Sequence, residues 1–209
     1  MRPPGVDPIA TQPGPSRVRN LPNALTGLRL LLVPVFAWLL LREGGDDEAS
    51  RVAAFVVFVL AVVTDYFDGA LARRRNLVTS FGKIADPIAD KALIGAALIG
   101  LSSLGDLPWW ITVVMLVREI GVTLLRFWVI RHGVMPASRG GKVKTLVQAV
   151  AIGLLVLPLD GWLHEAALVV MYVAVAVTVV TGVDYVARAL RLRRTSARAA
   201  MKRARRKQQ

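Results

Sequence analysis

From Leu21 onward, apolar residues run in long blocks broken only by short polar or charged punctuation. The blocks lie near residues 24–41, 52–73, 83–104, 108–130, 143–159 and 163–187. A helix needs roughly 20 mostly apolar residues to cross a bilayer. Backbone groups inside lipid must also bond within their own segment. The pattern therefore predicts an all-α, polytopic membrane protein with six transmembrane helices. The last block is the clearest, because residues 166–183 carry no charge. Residues 1–20 differ: Pro3, Pro4, Gly5, Pro8, Pro13, Gly14 and Pro15 crowd a segment too poor in apolar residues to order itself. It is expected to be a disordered tail, and it lacks the apolar run of a signal peptide. The expected organisation is a tail over 1–20, one membrane domain over 21–190 and a basic C-terminal tail over 191–209.

Composition agrees with this picture: 55% of residues are hydrophobic and the mean hydropathy is +0.52. The absence of cysteine excludes thiol nucleophiles, cysteine-bound zinc and disulfides. His132 and His164 lie near helix ends without histidine partners and receive no role. The net charge of +13 is uneven, since the chain from Arg188 onward is strongly basic and has no acids. Lacking aromatics for base stacking, this tail suits anionic membrane lipids better than nucleic acid. Other basic residues fall into alternate connections: Arg17 and Arg19, then Arg73 to Arg75 and Lys83, then Arg131, Arg139, Lys142 and Lys144. The intervening connections hold Glu43, Asp46, Asp47 and Glu48, then Asp106, then Asp160 and Glu165, with Arg42 and Arg51 at their borders. The positive-inside rule then places both termini in the cytoplasm.

Chemistry enters with Asp65, Asp68, Asp86 and Asp90, at the cytoplasmic ends of the second and third blocks. Ionisable groups at such positions are costly and imply a polar cavity. Asp65 and Asp68 are three apart, and Gly82, Asp86 and Asp90 recur every four, so each set shares one helix face. Facing carboxylates repel one another unless protons or cations neutralise them. Hard cations suit oxygen-only ligands, and Mg²⁺ or Mn²⁺ leaves positions open for water and substrate phosphates. Two ions could clamp the attacking and leaving oxygens of a phosphoryl transfer. The competing explanation for the aspartates is internal pairing with Lys91, Arg118 or Arg126. A non-enzymatic cation path would instead need a charge relay across the membrane, whereas these acids cluster at one depth.

The spacing Asp65-x2-Asp68-Gly69-x2-Ala72-Arg73-x8-Gly82-x3-Asp86-x3-Asp90 resembles the signature of the CDP-alcohol phosphatidyltransferase family. The resemblance implies that Asp65, Asp68 and Asp86 bind two metal ions. It implies that Asp90 touches a metal and acts as general base. It places the nucleotide of a CDP-alcohol donor against Asp65, Asp68, Gly69, Ala72, Arg73 and Gly82. It further implies a homodimer, in a bacterial inner membrane, with its active site facing the cytoplasm.

A second cationic cluster, Arg118, Arg126, Arg139, Lys142 and Lys144, lies at the cytoplasmic ends of the fourth and fifth blocks. Arg118 sits inside an apolar run, where Glu119, the aspartates or an anionic ligand must compensate it. A phosphate-bearing acceptor would do so. Arg118-Glu119-Ile120, Leu125-Arg126, Gly141-Lys142-Val143-Lys144-Thr145 and the opening Asn20 to Arg29 resemble the branch that moves a phosphatidyl group from CDP-diacylglycerol to glycerol 3-phosphate. Inositol phosphate, phosphatidylglycerol and serine are the alternative acceptors for the same donor. As positive-inside anchors, the lysines would need no acceptor at all.

Overall fold

The computed structural model describes the backbone of residues 21–75, 80–129 and 139–206, and the side chains of residues 25–65, 88–125 and 144–191. The expected tail over 1–20 lies outside the described residues. Among the described residues six α-helices follow in order: α1 (Leu21–Leu41), α2 (Glu48–Arg75), α3 (Ser80–Leu104), α4 (Trp109–Val129), α5 (Arg139–Val156) and α6 (Trp162–Arg206). A 3₁₀ turn at Arg42–Gly45 joins α1 to α2. No strand occurs among the described residues.

Local sequence explains the helix limits. Asp47 caps α2: its Oδ1 accepts the Ala49 amide at 3.3 Å and its Oδ2 accepts the Ser50 hydroxyl. That hydroxyl bond is the main reason the Asp47 carboxyl is held below the usual carboxylate range. At the other end of the chain, α6 runs for 45 residues, through the stretch expected to be a separate basic tail. No Gly or Pro interrupts residues 183–206, and Ala, Leu, Arg and Lys are strong helix formers.

α1 packs on α2 and α3; α6 packs on α4 and α5; α2, α3 and α5 connect the two groups. The core is continuous: Phe36 and Leu40 of α1 meet Phe58 of α2, Leu98 and Leu101 of α3, Ile111 and Met115 of α4, Ile152 of α5 and Met171 of α6. The Phe36 and Phe58 rings lie 5.7 Å apart in a tilted pair. Buried alanines at 54, 61, 97, 151 and 174 bring backbones close. Gly100 does so most sharply, since a Cβ there would meet Leu40 Cδ2 at 2.7 Å.

Arg51, which sequence alone leaves as a charge bordering a connection, is buried and ties three elements together. Its Nε donates to Val156 O at 3.0 Å and its Nη2 to Leu155 O at 2.7 Å, while Nη1 lies 2.6 Å from Asp106 Oδ2. The last carbonyls of a helix have no partner within it, and Arg51 supplies donors at that end of α5.

Among the described residues, large apolar side chains cover much of the outer face of the helices. Leu31, Val117, Leu124, Leu146, Val180 and Val183 are all more than 60% exposed, as expected where lipid takes the place of water. Among the described residues, Leu25–Gly45 and Trp162–Arg191 are long and apolar enough to cross a membrane, and Lys144–Val156 is a shorter apolar helix. The protein is an all-helical membrane protein.

Candidate active site

The signature residues fall on two consecutive helices. α2 carries Asp65, Asp68, Gly69, Ala72 and Arg73; α3 carries Gly82, Asp86 and Asp90. Of these, the side chains of Asp65 and Asp90 are described, and the others lie outside the described side chains. Asp65 is half-exposed, and Arg29 of α1, only 1% exposed, places Nη1 2.6 Å from its Oδ1. The helix next in space thus presents a buried guanidinium to this carboxylate. Arg29 received no role from the sequence beyond its place in the opening segment. The signal was present, because an arginine two turns into an apolar helix requires an anion.

No three His, Asp or Glu side chains come together among the described residues. The donor set proposed for metal is nevertheless of one chemical kind, carboxylate oxygen, which fits Mg²⁺ or Mn²⁺ and suits soft-ligand metals poorly.

The cationic cluster divides in the same way. Arg126 lies on α4, Arg139 opens α5 and Lys142 follows on α5, all outside the described side chains. Arg118 and Lys144 are described, and both are drawn into the protein. The Lys144 side chain is 5% exposed and its Nζ pairs with Glu119 Oε1. Arg118 Nη1 lies 3.5 Å from the same oxygen. Such burial is unlike a snorkelling surface anchor. Lys144 is also within electrostatic range of Asp90, Lys91 and Arg118, which puts this cation of the cluster in the neighbourhood of one of the four aspartates.

α6 fixes the rest of Arg118, a role not legible in the sequence. Nε donates to Thr178 O at 3.2 Å and Nη2 to Thr181 Oγ1 at 3.0 Å. The stem crosses Gly182, where a Cβ would come within 3.3 Å of Arg118 Cγ. One turn along α5 from Lys144, Gln148 is buried, and its Nε2 has no hydrogen-bond partner among the described residues.

Comparison with known proteins decides the family: the profile described as CDP-alcohol phosphatidyltransferase matches residues 19–180. The chain belongs to the CDP-alcohol phosphatidyltransferase family. A Mycobacterium tuberculosis protein named "Probable phosphatidylglycerophosphate synthase" is 64% identical over 178 residues, covering 85% of each chain. A Bacillus subtilis protein named "CDP-diacylglycerol--glycerol-3-phosphate 3-phosphatidyltransferase" is 39% identical over 79% of this chain and 93% of its own length. A Streptomyces coelicolor protein named "Cardiolipin synthase (CMP-forming)" is 38% identical over 79% of each. This CDP-alcohol phosphatidyltransferase is therefore an enzyme.

Proposed function

We propose that this phosphatidyltransferase moves the phosphatidyl group of CDP-diacylglycerol to glycerol 3-phosphate, giving phosphatidylglycerophosphate and CMP. The observation that carries the acceptor is Lys144, a buried cation in electrostatic range of Asp90 and paired to Glu119 beside Arg118. Cations held in such a place suit a phosphate monoester, and the relative at 64% identity bears a name that agrees. The chain crosses a bacterial inner membrane six times, with both termini and the active site at the cytoplasmic face, and works as a homodimer. These features rest on the positive-inside distribution and on the family resemblance.

Asp65, Asp68, Asp86 and Asp90 would hold two Mg²⁺ or Mn²⁺ ions. Bound there, the ions offset charge that accumulates on the diphosphate. Gly69, Ala72 and Gly82 leave room for the flat nucleotide, and Arg73 steadies it. Lys144, with Arg126, Arg139 and Lys142, orients the acceptor phosphate so that a primary hydroxyl reaches Asp90. The Asp90 carboxylate takes the hydroxyl proton. The hydroxyl oxygen forms a bond to the lipid-bearing phosphorus, and the bond from that phosphorus to the CMP oxygen breaks. Holding both reactants in one site accounts for much of the rate such an enzyme can reach.

A second reading, phosphatidylglycerol as acceptor with cardiolipin as product, is favoured by the name of the Streptomyces coelicolor relative. Purified protein given CDP-diacylglycerol and, in parallel, glycerol 3-phosphate, inositol phosphate, phosphatidylglycerol or serine separates the readings. CMP release and lipid product are measured together. Product with glycerol 3-phosphate alone is expected; CMP release with phosphatidylglycerol and none with glycerol 3-phosphate overturns the proposal.

A further inference from the structure

We infer that Glu119 is a positioning residue that serves as a displaceable counter-ion, holding Lys144 in place of the acceptor's phosphate and releasing it when a phosphate monoester arrives. The inference rests on the acceptor pocket proposed above and names the residue that sets its selectivity for charge.

The two cations at this carboxylate are held differently. Arg118 is fixed by α6: Thr178 O and Thr181 Oγ1 take two of its nitrogens, and its stem lies across Gly182. Its reach toward Glu119 is the long 3.5 Å contact. Lys144 has a flexible four-carbon stem, is almost fully buried, and among the described residues its ion-pair partner is Glu119. An ammonium is a compact charge that can reorient among partners, whereas a bound guanidinium keeps a fixed geometry. Lys144 is thus the cation that can change partners and Arg118 the strut that keeps Glu119 near it.

Charge balance says which partner would be accepted. Arg118, Asp90 and Lys91 all act electrostatically on Lys144. Among the described residues, Glu119 is the carboxylate that pairs with Lys144 and reaches Arg118. A phosphate monoester carries about −1.5 to −2 near neutral pH, while a phosphodiester carries one charge. Without Glu119 the empty pocket would leave Lys144 a buried cation stripped of its carboxylate, which is strongly unfavourable. With it, only an anion that outcompetes a resident carboxylate gains Lys144, so the same residue stabilises the empty site and rejects weak anions.

The test uses the purified full chain, inorganic phosphate as probe, and the variants Glu119→Gln and Glu119→Asp. Phosphate is read by thermal stabilisation without substrates and by inhibition against glycerol 3-phosphate. In Glu119→Gln, phosphate should inhibit at concentrations about tenfold lower than in wild type, about 1.4 kcal/mol of gained affinity. It should also raise the melting temperature more than it does in wild type. The KM for CDP-diacylglycerol should stay within twofold. Dimethyl phosphate, a singly charged diester, should stabilise the variant less than phosphate does. A Glu119→Gln protein that folds only with phosphate present supports the exchange. If that variant cannot be obtained at all, Glu119→Asp carries the test, with its shorter reach giving a phosphate response above that of wild type. Equal phosphate response in wild type and variant, or a weaker response in the variant, overturns the inference. If the acceptor panel shows wild type using no phosphate monoester, the acceptor reading fails. The phosphate stabilisation experiment, which needs no turnover, still decides the role of Glu119.

Discussion

Replacing Arg51 with alanine tests how far a single buried cation holds the membrane bundle together. The side chain joins the start of α2 to the C-terminal end of α5 and to Asp106 between α3 and α4, through contacts of 3.0, 2.7 and 2.6 Å. Removing it leaves the Leu155 and Val156 carbonyls at the end of a helix, where no intrahelical donor exists, and strips Asp106 of its cation. A hydrogen bond from a charged group contributes roughly 1.5–3 kcal/mol. Breaking a buried ion pair by deleting one partner costs roughly 3–5 kcal/mol. These contributions overlap, because one side chain makes all three contacts and Asp106 is partly exposed, so the net loss is set at about 3–5 kcal/mol. For a chain of this size each kcal/mol moves the melting temperature by about 2–4 °C, giving a drop of roughly 6–20 °C. Arg51→Lys should lose less, since the charge remains while the forked geometry goes. The assay is thermal unfolding in detergent, with turnover measured below the transition. Arg51 is 14 residues from Asp65 on α2, about 21 Å along the helix, so turnover of the folded fraction should be preserved. An Arg51→Ala protein melting within 2 °C of wild type would refute the reasoning. So would an Arg51→Lys protein as unstable as the alanine variant, which would mean that the retained charge contributes nothing.

Other expectations concern the site. Asp90→Asn should fold normally and lower turnover by about 10²–10⁴-fold, the usual contribution of a general base; wild-type turnover would remove Asp90 from that role. Activity should vanish in excess chelator and return with added Mg²⁺ or Mn²⁺, since facing carboxylates need cations to act together; activity that persists in chelator would exclude the metal-dependent scheme. Gly182→Val places a branched side chain where even a Cβ comes within 3.3 Å of Arg118 Cγ. It should raise the KM for the acceptor severalfold while leaving that for CDP-diacylglycerol near wild type. An unchanged acceptor KM would show that α6 has no part in placing the acceptor.

What could be read from the sequence was what depends on residues near one another in the chain. Among the described residues, hydrophobic block length placed the first five helices within about four residues of their observed limits and the start of the sixth, because the need for internal backbone bonding is a local constraint. The aspartate signature was legible for the same reason: spacing of three and four residues fixes a helix face whatever surrounds it. The basic stretch that begins after residue 190 continues the helix of the last apolar block. Charge composition shifts there while helix propensity does not, and α6 continues to Arg206. Tertiary structure alone decided the partners. Nothing local tells Arg29 that its anion is Asp65, or Arg51 that it meets the end of α5, more than 100 residues away. Nothing local tells Lys144 that Glu119 of α4 is its counter-ion. A buried charge announces that it needs a partner, because leaving it alone in an apolar interior is too unfavourable. Which of several oppositely charged residues provides that partner is settled only when the helices pack, since the interaction depends on distance across the bundle and not along the chain.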